Sequence, residues 1–171
     1  MLSSHIDLSV PDVQHISYQD LLATVEPFNA GPLSIIELGF QGEFSGAASL
    51  IFPPPSAAQL VSALIDEEVR VNDLNSLHIE ALNEVGNIVL NGVMGSLSNI
   101  LQVHLQYSLP HYSEGLISEE QDNTKESEKT VLLVQTVFSS SEFNIQGHIL
   151  IFFEVASFTA LITSIDNILV A

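Results

Sequence analysis

The chain has 171 residues and a formal net charge of −18 at pH 7, from 21 acidic residues against three Lys or Arg. So few cations cannot neutralise a phosphate backbone or an anionic lipid surface, which argues against nucleic acid and membranes as partners. There is no cysteine, which excludes disulfide scaffolds and thiol catalysis. The length predicts one soluble domain over residues 1–171. Met1 to Asp7 lack the features of a secretory signal, so we expect a cytoplasmic protein.

The first section of the chain, up to about Pro55, has the pattern of strands. Ser34 to Phe40 and Phe44 to Phe52 are apolar runs separated by a glycine, which predicts a hairpin. The prolines that follow Phe52 end the second strand, because proline supplies no N–H to a sheet ladder. Ser56 is then the predicted cap of a short helix that ends at Ile65.

The longest helical pattern runs from about Asp73 to His104, with Asp73 as the predicted cap. Gly86, Gly92 and Gly95 interrupt it, and each costs about 1 kcal/mol relative to alanine in a helix interior. We expect close packing at these glycines to compensate.

The last section begins with an acidic segment, residues 113–129, which we predict to be a solvated and mobile loop. Residues 130–138 and 143–153 predict a second strand pair, and residues 157–170 a closing helix. No internal repeat is evident. The order of elements predicts an α+β fold with helices packed on a largely antiparallel sheet.

One face of the long helix is polar in an unusual way. At about 100° per residue, Glu80, Glu84, Asn87 and Asn91 fall within an arc of about 60°. The opposite side carries the apolar residues Leu82, Val85, Val89, Val93 and Ile100. Two carboxylates four residues apart repel, and Asn is a mediocre helix former, so helix stability does not favour this stripe. Periodicity alone leaves two interpretations, an ordinary polar face or a functional one.

The segment from Glu80 to Ile88 resembles the signature of the CheC/CheX family of chemotaxis phosphatases. That signature is Asp or Ser, three residues, Glu, two residues, Asn, twenty-two residues and Pro. Glu84 and Asn87 match it, and Pro110 follows Asn87 at the required spacing. Glu80 departs from it, because the family has Asp or Ser there. The resemblance extends from about Phe40 to the C-terminus, and it implies a single-site CheC-like fold that lacks the family's first motif helix.

The resemblance also implies a function. Family members remove the phosphoryl group from the phosphoaspartate of a receiver domain such as CheY. Asn87 would orient the attacking water and Glu84 would dock against a lysine of the receiver, with Glu80 and Asn91 as possible supporting residues. The chain would need no cofactor of its own, because Mg²⁺ comes with the phosphorylated receiver.

Three interpretations stay open: the phosphatase, a non-catalytic binding module, and a structural protein with no receiver partner. The same helix suits a non-catalytic module that binds a receiver domain, a CheD-like deamidase or a flagellar switch component. Glu80 favours this second possibility, because it adds charge where an anionic acyl phosphate would approach.

The missing helix would leave part of the sheet uncovered, which predicts a homodimer. We expect no metal site, since the histidines show no paired spacing.

Overall fold

The computed structural model describes residues 7–8, 12–17, 20, 31–115, 130–140 and 145–170. The strands are β1 (Asp7–Leu8), β2 (Asp12–Ser17), β3 (Leu33–Gly42), β4 (Gly46–Phe52), β5 (Leu105–Tyr107), β6 (His111–Gly115), β7 (Thr130–Ser140) and β8 (Ile145–Phe153). The helices are α1 (Pro54–Ile65), α2 (Ser76–Leu101) and α3 (Val155–Val170), with a short 3₁₀ turn at Val71–Asp73.

The described strands form one sheet in the order β1-β7-β8-β4-β3-β5, in which β2 also pairs with β7 and β6 with β3. Every pairing is antiparallel. The α+β prediction is confirmed, and both predicted hairpins are present as β3–β4 and β7–β8. The order of the strands, which the sequence does not reveal, places the β4–β8 ladder at the centre.

The sheet contains an internal repeat that the sequence analysis missed. Each half is a hairpin followed at once by a helix, β3–β4–α1 and β7–β8–α3. The outer strand of each hairpin pairs with two short strands, β5 and β6 in one half and β1 and β2 in the other. The sequence carries a faint trace of this repeat, Ser9-Val10-Pro11 before β2 and Ser108-Leu109-Pro110 before β6.

The main core lies between one face of the sheet and the helices. It includes Ile36, Leu50 and Ile149 from neighbouring strands together with Leu82 and Leu90 of α2. Alternate side chains along a strand point to opposite faces of the sheet, so the residues next to these core residues in sequence lie on the second face.

The second face of the central strands is also buried, at Ile35, Ile51 and Leu150. The premise of the homodimer prediction, an uncovered sheet face, is therefore wrong at these positions. Open apolar surface lies instead on α3, at Ile162, Ile165 and Leu169. Half-buried His148 lies on the second face, and desolvation lowers its pKa below the ordinary value.

The helix ends differ from the predicted ones. α1 begins at Pro54, after Pro53, so Ser56 is inside the helix and no side chain caps it. α2 begins at Ser76, because Asp73 is part of the 3₁₀ turn and the cap is Asn75. The Asn75 side chain accepts hydrogen bonds from the backbone N–H groups of Leu77 and His78 at 3.0 and 3.1 Å. The helix ends at Leu101, where Gln102 adopts a left-handed conformation with φ 55°.

Two predictions concern residues that lie partly or wholly outside the described ranges. The acidic segment is a strand as far as Gly115, because β6 pairs with β3, and residues 116–129 lie outside the described residues. The missing first motif helix concerns the region before Phe40, where residues 1–6, 9–11, 18–19 and 21–30 lie outside them as well. Among the helices described, none is long and apolar enough to cross a membrane.

Candidate functional site

The candidate site is the outward face of α2, and the inward face of the same helix fixes its position. Leu82 and Val85 are buried, as predicted, whereas Val89 and Val93 are only partly buried against the core. Gly86 lies directly on β3, since a Cβ there would come within 2.3 Å of Ile36 Cγ2. Close packing therefore explains this glycine, and it holds the middle of α2 against the sheet.

The four residues of the predicted stripe share one side of α2. Glu80 and Glu84 are exposed, while Asn87 and Asn91 are half-buried. Neither glutamate has a hydrogen-bond or ion-pair partner among the described residues. Glu84 and Asn87 are three residues apart and thus neighbours on the helix surface. The carboxylate is free to pair with a cation of another molecule.

The two asparagines are joined to each other. Asn91 Nδ2 donates a hydrogen bond to Asn87 Oδ1 at 2.6 Å. One turn before Asn87, Asn83 Oδ1 is buried and has no hydrogen-bond partner. The sequence analysis did not single out Asn83, although its spacing of four residues from Asn87 was visible.

Apolar side chains flank the stripe and were also missed. Leu77 is 66% exposed and Ile88 is 65% exposed, on the same side of α2 as Glu84. A Cβ at Gly92 or Gly95 would meet nothing within 4 Å, so the expected close packing is wrong at both positions. The outward face thus combines free carboxylates, amides, large apolar groups and bare backbone.

Pro110, the proline of the signature, lies at a break in the edge of the sheet. It separates β5 from β6, and proline has no N–H to continue a ladder. Ser108 spans the break, because its backbone N–H donates to Gly39 O at 2.9 Å and its Oγ accepts from Gly39 N–H at 2.8 Å. Pro110 therefore helps to end one edge strand and begin the next.

Two residues after Pro110, Tyr112 joins the core beneath the helices. Its hydroxyl donates to Glu114 Oε1 at 2.5 Å and lies 3.2 Å from Ser34 Oγ. Burial, followed by the hydrogen bond to the Glu114 carboxylate, raises the pKa of Tyr112 above its ordinary value. Among the described residues, no hydrogen bond joins this network to the candidate stripe.

The candidate site lies on an outward-facing helix surface. A cavity of about 510 Å³ lies beside β3 and β5, but no residue of α2 lines it. In the part of the chain that the structure describes, no group of three His, Cys, Asp or Glu side chains could hold a metal ion. The arrangement suits insertion into a site on another protein better than capture of a small molecule.

No protein-family model matches the chain. A curated relative, the CheY-P phosphatase CheC of Bacillus subtilis strain 168, is 29% identical over 118 residues. That match covers 66% of this chain and 55% of the relative, so the chain spans just over half of the relative's length.

Solved structures agree on the fold. FliY from Thermotoga maritima superposes with a TM-score of 0.74 at 15% identity, covering 97% of this chain and 84% of FliY. CheX from Vibrio vulnificus gives a TM-score of 0.59 at 19% identity, covering 90% and 89%. A chain of the FliG–FliM complex from H. pylori gives 0.61 at 13% identity, covering 94% and 84%. The curated relative supports the resemblance to the CheC/CheX family, and the solved structures share the fold.

Proposed function

We propose that this protein hydrolyses the acyl phosphate of a CheY-like receiver domain. The observation that carries the proposal is the pair Glu84 and Asn87, neighbours on the outward face of α2, with the Glu84 carboxylate unpaired among the described residues. The similarity to a protein named as a CheY-P phosphatase supports the substrate class.

The reaction needs no nucleophilic side chain from this protein, because an acyl phosphate is already activated. The oxygen of water attacks phosphorus, and the bond from phosphorus to the aspartate carboxylate oxygen breaks. The electron pair stays on the carboxylate, and both water protons end on the released inorganic phosphate. The protein contributes by holding that water in line, which is positioning rather than covalent chemistry. In this proposal the Asn87 amide, which can both donate and accept, orients the water.

Glu84 acts in docking. The Glu84 carboxylate, which has no partner among the described residues, can pair with a lysine of the receiver when α2 approaches. The charge of −18 also favours encounter with a cationic region of the receiver. Mg²⁺ arrives with the receiver, and Glu80 borders the contact.

The two roles predict different failures on substitution. Asn87→Ala should remove the accelerated decay of the phosphorylated receiver with little loss of binding, because water positioning matters chiefly in the transition state. Glu84→Ala should weaken binding, by less than about 1 kcal/mol if the ion pair stays solvated. Raising the protein concentration should therefore restore the rate for Glu84→Ala but not for Asn87→Ala.

The measurement is the decay rate of a phosphorylated receiver against the concentration of each variant. Asn99→Ala is the matched control, because Asn99 is exposed on the same helix well past the motif. Equal loss of the maximal rate in Asn87→Ala and Asn99→Ala would contradict the assignment of Asn87.

A second candidate function is a binding module without catalysis. FliM in the FliG–FliM complex has the same fold, which favours a flagellar switch component. Glu80, where the family signature has Asp or Ser, also favours it. Binding of an unphosphorylated partner together with unchanged phosphate decay would support this alternative.

Assembly and further partners are proposals as well. We propose a homodimer that forms through the open apolar side chains of α3 rather than through the sheet. Light scattering at physiological ionic strength tests this assembly. A monomeric mass would contradict it. A CheD-like deamidase is a further possible partner, and we expect the protein in the cytoplasm.

A further inference from the structure

Three asparagines line α2 at intervals of four residues, Asn83, Asn87 and Asn91. Side chains four residues apart in a helix are neighbours, so the amide of Asn87 lies between the other two. The contact with Asn91 is direct, at 2.6 Å from Asn91 Nδ2 to Asn87 Oδ1. The acceptor on the other side, Asn83 Oδ1, is buried and unpaired.

Asn91 selects one orientation of the Asn87 amide. It presents a donor, which requires the carbonyl oxygen of Asn87 on that side. Asn83 Oδ1 has no hydrogen-bond partner among the described residues, so it does not bond to the Asn87 amide. With Asn91 in place, the reversed Asn87 amide would set two N–H donors against each other and lose a hydrogen bond in a half-buried place. Asn91 therefore holds the oxygen of Asn87 before any partner arrives.

We propose that Asn91 is a positioning residue that holds Asn87 with its N–H group available to the phosphoryl–water assembly. This inference rests on the proposed phosphatase function and specifies which end of the amide acts there. One lone pair of Asn87 Oδ1 is taken by Asn91, and one remains. The free N–H group donates to a phosphoryl oxygen, and the remaining lone pair accepts a proton of the attacking water. Fixing the amide in advance avoids reorganisation at the moment of reaction.

The decisive variant is Asn91→Asp, which exchanges a donor for an acceptor of nearly the same size. At neutral pH the new carboxylate can only accept, so Asn87 turns its amino group toward it and presents its oxygen to the receiver. We expect the maximal rate to fall about 10- to 100-fold, with a smaller change in the half-saturating concentration.

The same variant has a pH signature that a structural defect would not give. When the new carboxyl is protonated it can again donate to Asn87 Oδ1, so the maximal rate should recover as the pH falls. Glu80 and Glu84 share this face, and their charges together with partial burial raise the pKa of the new group above the ordinary value of about 3.9. Asn99→Asp adds the same charge to the exposed part of the helix and should show neither loss nor recovery.

Asn91→Leu tests whether the effect of Asn91→Asp comes from the loss of the donor or only from the added negative charge. It removes the donor without adding an acceptor, so the maximal rate should fall at every pH. The proposal is overturned if Asn91→Asp and Asn91→Leu keep the wild-type maximal rate, or if Asn91→Asp loses it without recovery at low pH.

An independent measurement separates this inference from the proposed function. The side-chain amide protons of Asn87 can be followed by NMR without any receiver. In Asn91→Asp one of them should move to the frequency of a proton bonded to a carboxylate, and the shift should disappear as the new group is protonated. If wild type leaves phosphate decay unchanged but this shift occurs, the phosphatase proposal fails and the orientation of Asn87 still stands. If the signals of the Asn87 side-chain amide protons do not change in Asn91→Asp, the positioning role itself is overturned.

Discussion

The two faces of α2 are built to different requirements. The inward face is closely packed, with Leu82 and Leu90 fully buried and Gly86 against Ile36. The outward face has no such neighbours, and Gly92 has open space beside it. Burial in the core accounts for the large apolar residues of the first face, whereas no packing within the described chain accounts for the exposed Glu80, Glu84 and Ile88 of the second. The comparison indicates that folding selects one face and a partner selects the other.

The largest effect on stability should come from the inward face. Leu90→Ala removes a fully buried side chain, and we expect the free energy of unfolding to fall by about 2–5 kcal/mol. Leu77→Ala, on the exposed side of the same helix, should change it by less than about 0.5 kcal/mol. Urea unfolding of both variants measures the difference, and similar losses would remove the distinction between the faces.

The glycines offer a sharper comparison, because substitution by alanine should change the free energy of unfolding in opposite directions on the two faces. Gly86→Ala should destabilise by about 1–3 kcal/mol, since the buried side chain of Ile36 cannot move away. Gly92→Ala should stabilise by up to about 1 kcal/mol, because only helix propensity changes. Unfolding midpoints of the pair test this, and a stabilising Gly86→Ala would show that α2 does not pack on β3 as described.

The smallest effect concerns binding alone. Ile88→Ala should raise the half-saturating concentration for a phosphorylated receiver about threefold to tenfold, because an apolar contact of the docking surface is lost. Stability and maximal rate should stay at wild-type values. Ile100→Ala is the control, since Ile100 is equally exposed but lies in the last turn. Equal effects of the two would contradict a docking surface centred on Glu84.

Much of this architecture follows from the sequence. Hydrophobic periodicity together with proline, glycine and capping residues predicts both hairpins, the three helices whose bounds the structure describes, and the polar stripe, because each signal is local. The signature adds Glu84 and Asn87, which the structure places on one face of α2, Glu84 exposed and Asn87 half-buried.

What the sequence could not supply depends on tertiary contacts. Ile100 shares the angle of Leu82 on a helical wheel, yet it is 65% exposed, which corrects its assignment to the buried side. The buried stripe moves about 100° around the axis from Leu82 to Leu101, so a fixed wheel misplaces the end of the helix. Close packing was right for Gly86 and wrong for Gly92 for the same reason, because only the fold decides which glycine meets a strand.

The central claim is that the outward face of α2 acts catalytically on a receiver. Its most direct test is the decay rate of a phosphorylated receiver as wild-type protein is added, with binding recorded in the same samples. We predict that the rate rises and saturates together with binding, and that Asn87→Ala saturates binding while the rate stays at its spontaneous value. Saturated binding of wild type with no change in the decay rate would contradict the claim and leave α2 as a docking surface only.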